Sequence, residues 1–117
     1  MSLRVRTYAL DTFHGRPAAG VPVSIESAGA GGWMTVARGV TGDDGSWTGD
    51  AGTAPHTAVL RLVVDTGGYY AALGVRASGQ ELTVGLRLGG GGGGTALVTV
   101  LVAPAGGTAH VQFAGPA

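Results

Sequence analysis

Glycine takes 24 of the 117 positions and proline a further 5, and both fall as punctuation between short runs rich in Val, Leu and Thr. Glycine inside a helix costs about 1 kcal/mol relative to alanine, so long helices are disfavoured, whereas β-branched residues fit a pleated sheet. Several short strands with regular turn signals are the pattern of an all-β sandwich. The runs predict strands at about Leu3–Leu10, Val21–Ser27, Trp33–Thr41, Ser46–Gly49, Ala58–Asp65, Glu81–Leu88, Thr95–Val102 and Thr108–Phe113. Loops are expected at Gly15–Gly20, Ala28–Gly32, Gly42–Gly45 and Gly49–His56. A single short helix is expected at Gly67–Gly74, where packing must hold what propensity alone does not.

The length fits one domain over residues 1–117, large enough to bury a core without disulfides or metal. With no cysteine there is neither a disulfide framework nor a thiolate ligand or nucleophile. Seven basic residues, all arginine, balance seven acids and are dispersed along the chain, which argues against nucleic acid or an anionic membrane as partner. No run approaches the roughly 20 apolar residues that span a bilayer, and nothing near Arg4 and Arg6 reads as a signal peptide. The expected compartment is the cytoplasm. The absence of lysine and asparagine and the single isoleucine fit a high-GC bacterial source.

The six consecutive glycines Gly89–Gly94 are expected to form a flexible hairpin connection rather than a phosphate cradle, because a strand and not a helix follows. The histidines His14, His56 and His110 show no metal-ligand spacing, so no metal or other cofactor is expected. His14 and His56 lie in turn-rich segments and read as loop residues. Trp33 and Trp47 read as sandwich packing, and at least one of Tyr69 and Tyr70 should be in the core.

Three segments carry a family resemblance. Tyr8–Ala19 reads Tyr-Ala-Leu-Asp-Thr-Phe-His-Gly-Arg-Pro-Ala-Ala, Gly39–Gly45 reads Gly-Val-Thr-Gly-Asp-Asp-Gly, and Asp65–Gly74 reads Asp-Thr-Gly-Gly-Tyr-Tyr-Ala-Ala-Leu-Gly. In that order they resemble the opening signature, the Thr-x-x-x-Gly turn and the strand-to-helix segment of the transthyretin/5-hydroxyisourate hydrolase family. Val102-Ala103-Pro104 falls where that family has its Leu-Ser-Pro turn. The resemblance implies an eight-stranded, two-sheet sandwich with one short helix. It also implies a homotetramer, a dimer of dimers, whose inner sheets enclose a channel that takes a small molecule. Thr95–Val102 suits such a channel, since neither of its alternating faces is strongly polar.

The resemblance also locates the hydrolase's working groups, and every one is replaced. Tyr8 stands for the first-strand His, Ser46 for the Arg after the turn, Leu97 for the seventh-strand His and Thr99 for a nearby Pro. His110-Val111-Gln112-Phe113 replaces the terminal Tyr-Arg-Gly-Ser. Hydrolysis needs a base to deprotonate water and donors to stabilise an oxyanion, and the family's supply of both is gone.

Period-two alternation places Thr108, His110 and Gln112 on one face of the last strand, with Val111 and Phe113 facing the core. The same rule turns Tyr8 to the side of Arg4 and Arg6, opposite Val5, Thr7 and Ala9. Tyr8, Ser46, Thr99, Thr108, His110 and Gln112 are then expected to rim a cleft floored by Leu10, Leu97 and Leu101. His110 is the candidate acid–base residue because imidazole titrates near neutrality, and Tyr8 is its candidate partner. The implied function is a repurposed enzyme that cyclises, isomerises or eliminates on a small cyclic metabolite, in specialised biosynthesis. The alternatives are a non-catalytic carrier like transthyretin, a residual ureide hydrolase, or a structural relic.

Overall fold

The computed structural model describes residues 3–52, 59–78, 81–87 and 94–114. His56, Ala58, Leu88 and Gly89–Gly93 lie outside the described residues. The elements in chain order are β1 (Leu3–Asp11), β2 (Arg16–Pro17), β3 (Pro22–Gly29), β4 (Gly32–Val40), β5 (Ser46–Asp50), β6 (Val59–Val64), α1 (Thr66–Ala72), β7 (Leu82–Arg87), β8 (Gly94–Ala103) and β9 (Gly106–Ala114). All eight expected strands are present. The two-residue β2 is an addition inside the expected Gly15–Gly20 loop, and it pairs with the end of β1.

The strands form two sheets, one ordered β2-β1-β8-β9 with β5 also on β1, the other β4-β3-β6-β7. β1 and β8 run parallel over their whole length, whereas the other pairs are antiparallel. Alternation accounts for the core. Leu3, Val5, Thr7, Ala9 and Asp11 of β1 point inward, and they meet Ala96, Val98, Val100 and Val102 of β8 and Ile25, Leu60, Leu62 and Val64 of the facing sheet. Burying such side chains contributes about 1.5–3 kcal/mol each, which is what fixes the register against a one-residue slip.

Asp65, expected to end a strand, is the N-cap of α1, where its Oδ1 accepts from Gly68 N at 2.8 Å. Pro104 and Ala105 turn β8 into β9, at the position of the expected Val102-Ala103-Pro104 turn. The expected Gly42–Gly45 turn brings the backbone so close to β1 that a side chain at Gly45 would strike the Ala9 carbonyl, and its φ of 81° is a value that favours glycine. Thr41 anchors the same turn, its buried Oγ1 donating to Ala18 O at 2.6 Å and accepting from Val21 N at 2.9 Å.

The two tryptophans differ. Trp47 points inward from β5 and packs partly buried against the core, over two strand glycines: a Cβ at either Gly39 of β4 or Gly49 of β5 would overlap its indole. Trp33 departs from the sandwich-packing expectation. It is 43% exposed on β4, with the Arg61 guanidinium 3.9 Å from the ring centroid. Phe113 also departs from expectation, at 53% exposed. Its register opposite Ala96 does turn it toward the sandwich, but it lies near the end of β9, the edge strand of its sheet.

Candidate active site on the outer face of the five-stranded sheet

Because directly paired residues on neighbouring strands share a face, the registers can be read across the sheet. Tyr8 pairs with Ser46 on β5 and with Thr99 on β8, and Thr99 pairs with His110 on β9. Ser46, Tyr8, Thr99 and His110 therefore form one row across four strands, on the face turned away from the core. The next row on one side is Thr48, Arg6, Leu97 and Gln112, and on the other it is Pro17, Leu10, Leu101 and Thr108. All nine residues selected from the sequence stand on this one surface.

The surface is open in the single chain. Thr99, Thr108, His110 and Gln112 are exposed, Tyr8 is 42% and Leu101 40% exposed, and Leu10, Ser46 and Leu97 are half-buried. A shallow concavity of about 450 Å³ opens at its Leu101–Thr108 end, lined also by Thr12, Ala103, Gly106 and Gly107. A smaller one, about 270 Å³, lies against β3 and β4 of the other sheet and contains none of the selected residues.

Tyr8 and His110 sit two strands apart, which at the interstrand spacing of a sheet is about 10 Å between their backbones. They do not touch, and among the described residues neither side chain makes a hydrogen bond to the protein. Ser46 is already committed: its hydroxyl donates to Asp44 Oδ1 at 2.7 Å and its amide to the same oxygen at 2.9 Å. Those bonds hold the Asp44 carboxyl below its ordinary value. Arg6 stands in the row beside Tyr8, on the side where alternation places it, and is exposed.

A second polar cluster was not foreseen. The alternation that buries Val5 and Ala9 also buries Asp11, which is 0% exposed. Asp11 Oδ1 accepts from Tyr70 OH at 2.7 Å and from the amides of Phe13 and His14 at 3.0 Å. Its Oδ2 accepts from Tyr69 OH at 2.7 Å and lies 2.6 Å from His14 Nδ1. Burial alone would raise the Asp11 pKa; the bonds from Tyr69, Tyr70 and His14 outweigh it and hold the carboxyl well below the usual range. Desolvation, together with the bond to Asp11, pushes Tyr69 up to about 12 and raises Tyr70 as well. His14 is thus more than a loop residue, and Tyr69 and Tyr70 are both in the core, as the expectation of at least one allowed. The available signal was an acid at an inward position of β1. Among the described residues no group of three or more His, Asp or Glu is placed to hold a metal ion. No helix there is long and apolar enough to cross a membrane.

Comparison with known proteins agrees with this architecture. The chain is similar to Sparus aurata transthyretin, with 22% identity over 95% of this chain and 97% of that one and a TM-score of 0.78. The crystal structure of sea bream transthyretin in complex with thyroxine gives 21% identity over 97% and 98% of the two chains, also at 0.78. Klebsiella pneumoniae 5-hydroxyisourate hydrolase gives 26% identity over 93% of this chain and 98% of that one, again at 0.78. A search of curated protein sequences returned no significant match. The model of the HIUase/Transthyretin family matches residues 5–108, and the chain belongs to that family.

Proposed function

We propose that this chain is a repurposed family member that binds a small, largely apolar ring compound on the outer face of the five-stranded sheet. There it applies acid–base chemistry through His110, with Tyr8 as partner. In this reading the chain assembles as a homotetramer whose facing sheets turn the open surface into a channel. The observation that carries the reading is the row Ser46–Tyr8–Thr99–His110, bordered by Leu10, Leu97 and Leu101. Ligand sites are mostly apolar with a few placed polar groups, and this is the surface of that kind.

The roughly 10 Å between the Tyr8 and His110 backbones leaves room for one ring over Thr99, with a proton donor on one side and an acceptor on the other. Cyclisation, isomerisation or elimination needs only such a pair. Hydrolysis by the family's route needs in addition the guanidinium that Ser46 replaces. A second reading, ligand carriage without turnover, is favoured by the lack of any protein hydrogen bond to orient Tyr8 or His110 among the described residues.

Freshly generated 5-hydroxyisourate is expected to decay at its uncatalysed rate in the presence of the protein; a heat-labile acceleration would return the chain to the hydrolases. Light scattering is expected to give a tetramer, and a monomer at all concentrations would remove the channel. A co-purified ring compound then supplies the substrate. With it, His110→Ala is expected to lower turnover by about two to four powers of ten while the tetramer persists, the usual contribution of a positioned acid or base. Full turnover in that variant would leave His110 without the role. Binding without turnover in the unaltered protein would favour the carrier.

A further inference from the structure

The turn after β1 gathers three ionisable side chains that the Tyr8–His110 row does not use. Asp11 ends β1, and its Oδ1 accepts from the amides of Phe13 and His14 at 3.0 Å, which folds the chain back at once. Gly15 closes the turn with its amide on Asp11 O at 2.8 Å, at a φ of 70° that favours glycine. Arg16 then returns opposite Asp11 in the β1–β2 pair. An acid, an imidazole and a guanidinium are thereby brought to one end of the sheet. The same turn fixes the form of His14. Asp11 is buried and its carboxyl is held well below the usual range, so at neutral pH it is ionised and can only accept. The Nδ1 that lies 2.6 Å from Asp11 Oδ2 therefore carries the proton, and in the neutral ring Nε2 keeps the lone pair. Among the described residues Nε2 has no hydrogen-bond partner, and the His14 side chain is 29% exposed. A carboxylate that orients an imidazole through one nitrogen and leaves the other open is the base-and-orienter arrangement of general-base catalysis.

Asp11 Oδ2 also accepts from Tyr69 OH at 2.7 Å, so imidazole and phenol meet at one oxygen. The Tyr69 ring is a wall of a concavity of about 400 Å³, lined also by Arg16, Pro17, Ala19, Asp43 and Leu73. Arg16 lies close enough to the Tyr69 hydroxyl to oppose the rise of its pKa by charge and by hydrogen bonding. A guanidinium there is a fixed positive charge for an oxygen that turns anionic during reaction. Asp43 balances Arg16, so the hollow is unsuited to a phosphate dianion, and Pro17, Ala19 and Leu73 give it apolar cover. From this arrangement we infer that the Asp11–His14–Arg16 turn is a second catalytic site, one that hydrolyses small uncharged carboxylic esters. His14 Nε2 takes a proton from water as the water oxygen bonds to the ester carbonyl carbon. Arg16 stabilises the resulting oxyanion; the ester carbon–oxygen bond then breaks, and the imidazolium returns the proton to the leaving oxygen. Asp11 touches no substrate. It is the positioning residue that keeps the imidazole in the working tautomer.

The test follows nitrophenol release from p-nitrophenyl acetate by the full-length protein, with p-nitrophenyl phosphate as the charged counterpart. Hydrolysis of the acetate is expected to exceed that by an equal concentration of free imidazole by about two to four powers of ten, with the phosphate untouched. His14→Ala should return the rate to background, and Arg16→Gln should lower it by about two powers of ten. Asp11→Asn keeps a carbonyl oxygen for Tyr70 and the two amides but turns an amide toward Nδ1, so kcat should fall with KM unchanged. Imidazole ¹⁵N shifts should then show the His14 proton on Nδ1 in the parent and on Nε2 in that variant. A rate no better than free imidazole, full turnover in folded His14→Ala, or a parent proton on Nε2 overturns the site. Should Asp11→Asn not fold, the parent tautomer and the His14→Ala rate still decide. Turnover of the phosphate in preference to the acetate overturns the substrate class. Loss with His110→Ala in place of His14→Ala also overturns the site, and moves the ester chemistry to the outer face.

Discussion

Strand β1 serves two polar clusters, and they are built on opposite terms. Its inward end carries Asp11, a buried carboxylate that receives bonds from Tyr69, Tyr70, His14 and two backbone amides. Its outward side carries Arg6 and Tyr8, in rows with Thr99, Gln112 and His110, whose side chains are exposed and, for Tyr8 and His110, unbonded among the described residues. Leaving a buried charge unpaired costs several kcal/mol, so Asp11 is tolerated only because its partners are complete. An exposed polar group costs nothing while water serves it, and it remains free for a ligand. Complete pairing marks the structural cluster; incomplete pairing on one open face is what the proposed binding surface presents.

Mutations can break this contrast, and the largest effect is expected inside. Asp11→Ala leaves the Tyr69 hydroxyl without its acceptor and Tyr70 with the Val102 carbonyl alone, and is expected to lower unfolding free energy by about 2–4 kcal/mol in urea titration. A loss below about 1 kcal/mol would mean that the cluster is not what holds β1, the following turn and α1 together. Tyr70→Phe is milder. It removes the single hydroxyl donor that lies 2.7 Å from Asp11 Oδ1 and 3.0 Å from the Val102 carbonyl oxygen, and should cost about 1–3 kcal/mol by the same measurement.

Acid sharpens the comparison. The folded pKa of Asp11 lies below its unfolded value near 3.8, so its contribution is complete above about pH 4 and fades as pH falls toward the folded value. The stability gap between the parent and Asp11→Asn should therefore be constant from pH 7 to about 5 and close at lower pH. A gap that widens in acid contradicts the assignment. For Tyr69 the sign is opposite. Its pKa is raised, so its contribution holds below about pH 10 and is lost as pH climbs through about 12. The smallest effect belongs to the outer face: His110→Ala is expected to move stability by less than about 0.5 kcal/mol, as surface changes do, whatever it does to turnover. A shift as large as that of Asp11→Ala would show that the face is structural after all.

The sequence revealed these two clusters unequally, for a physical reason. Alternation is local, so the common face of Tyr8 and Leu10, of Leu97, Thr99 and Leu101, and of Thr108, His110 and Gln112 could be read within each strand. That these strands lie side by side, and that Ser46 joins their row, came from the family resemblance rather than from spacing. The Asp11 cluster needs contacts between residues 58 and 59 positions apart, which no local period encodes. Only the acid at an inward position hinted at it. Phe113 was misplaced for a related reason, since alternation says which way a side chain points but not whether anything covers it, whereas Trp33 shares with Glu26 and Arg61 the face of its sheet turned away from the core.

Trp47 lies across Gly39 and Gly49, and one of those glycines belongs to the opposite sheet. The three positions therefore act as a peg and its socket, and their histories are tied. Enlarging either glycine is admissible only where the peg has already shrunk, and shrinking the peg first leaves a void that favours filling the socket. Alanine at position 39 or 49 should be damaging beside Trp47 and far less so beside a leucine there. Relatives that share this joint are expected to vary at these positions as a set, so their sequences carry a record of how the two sheets are keyed together at this edge.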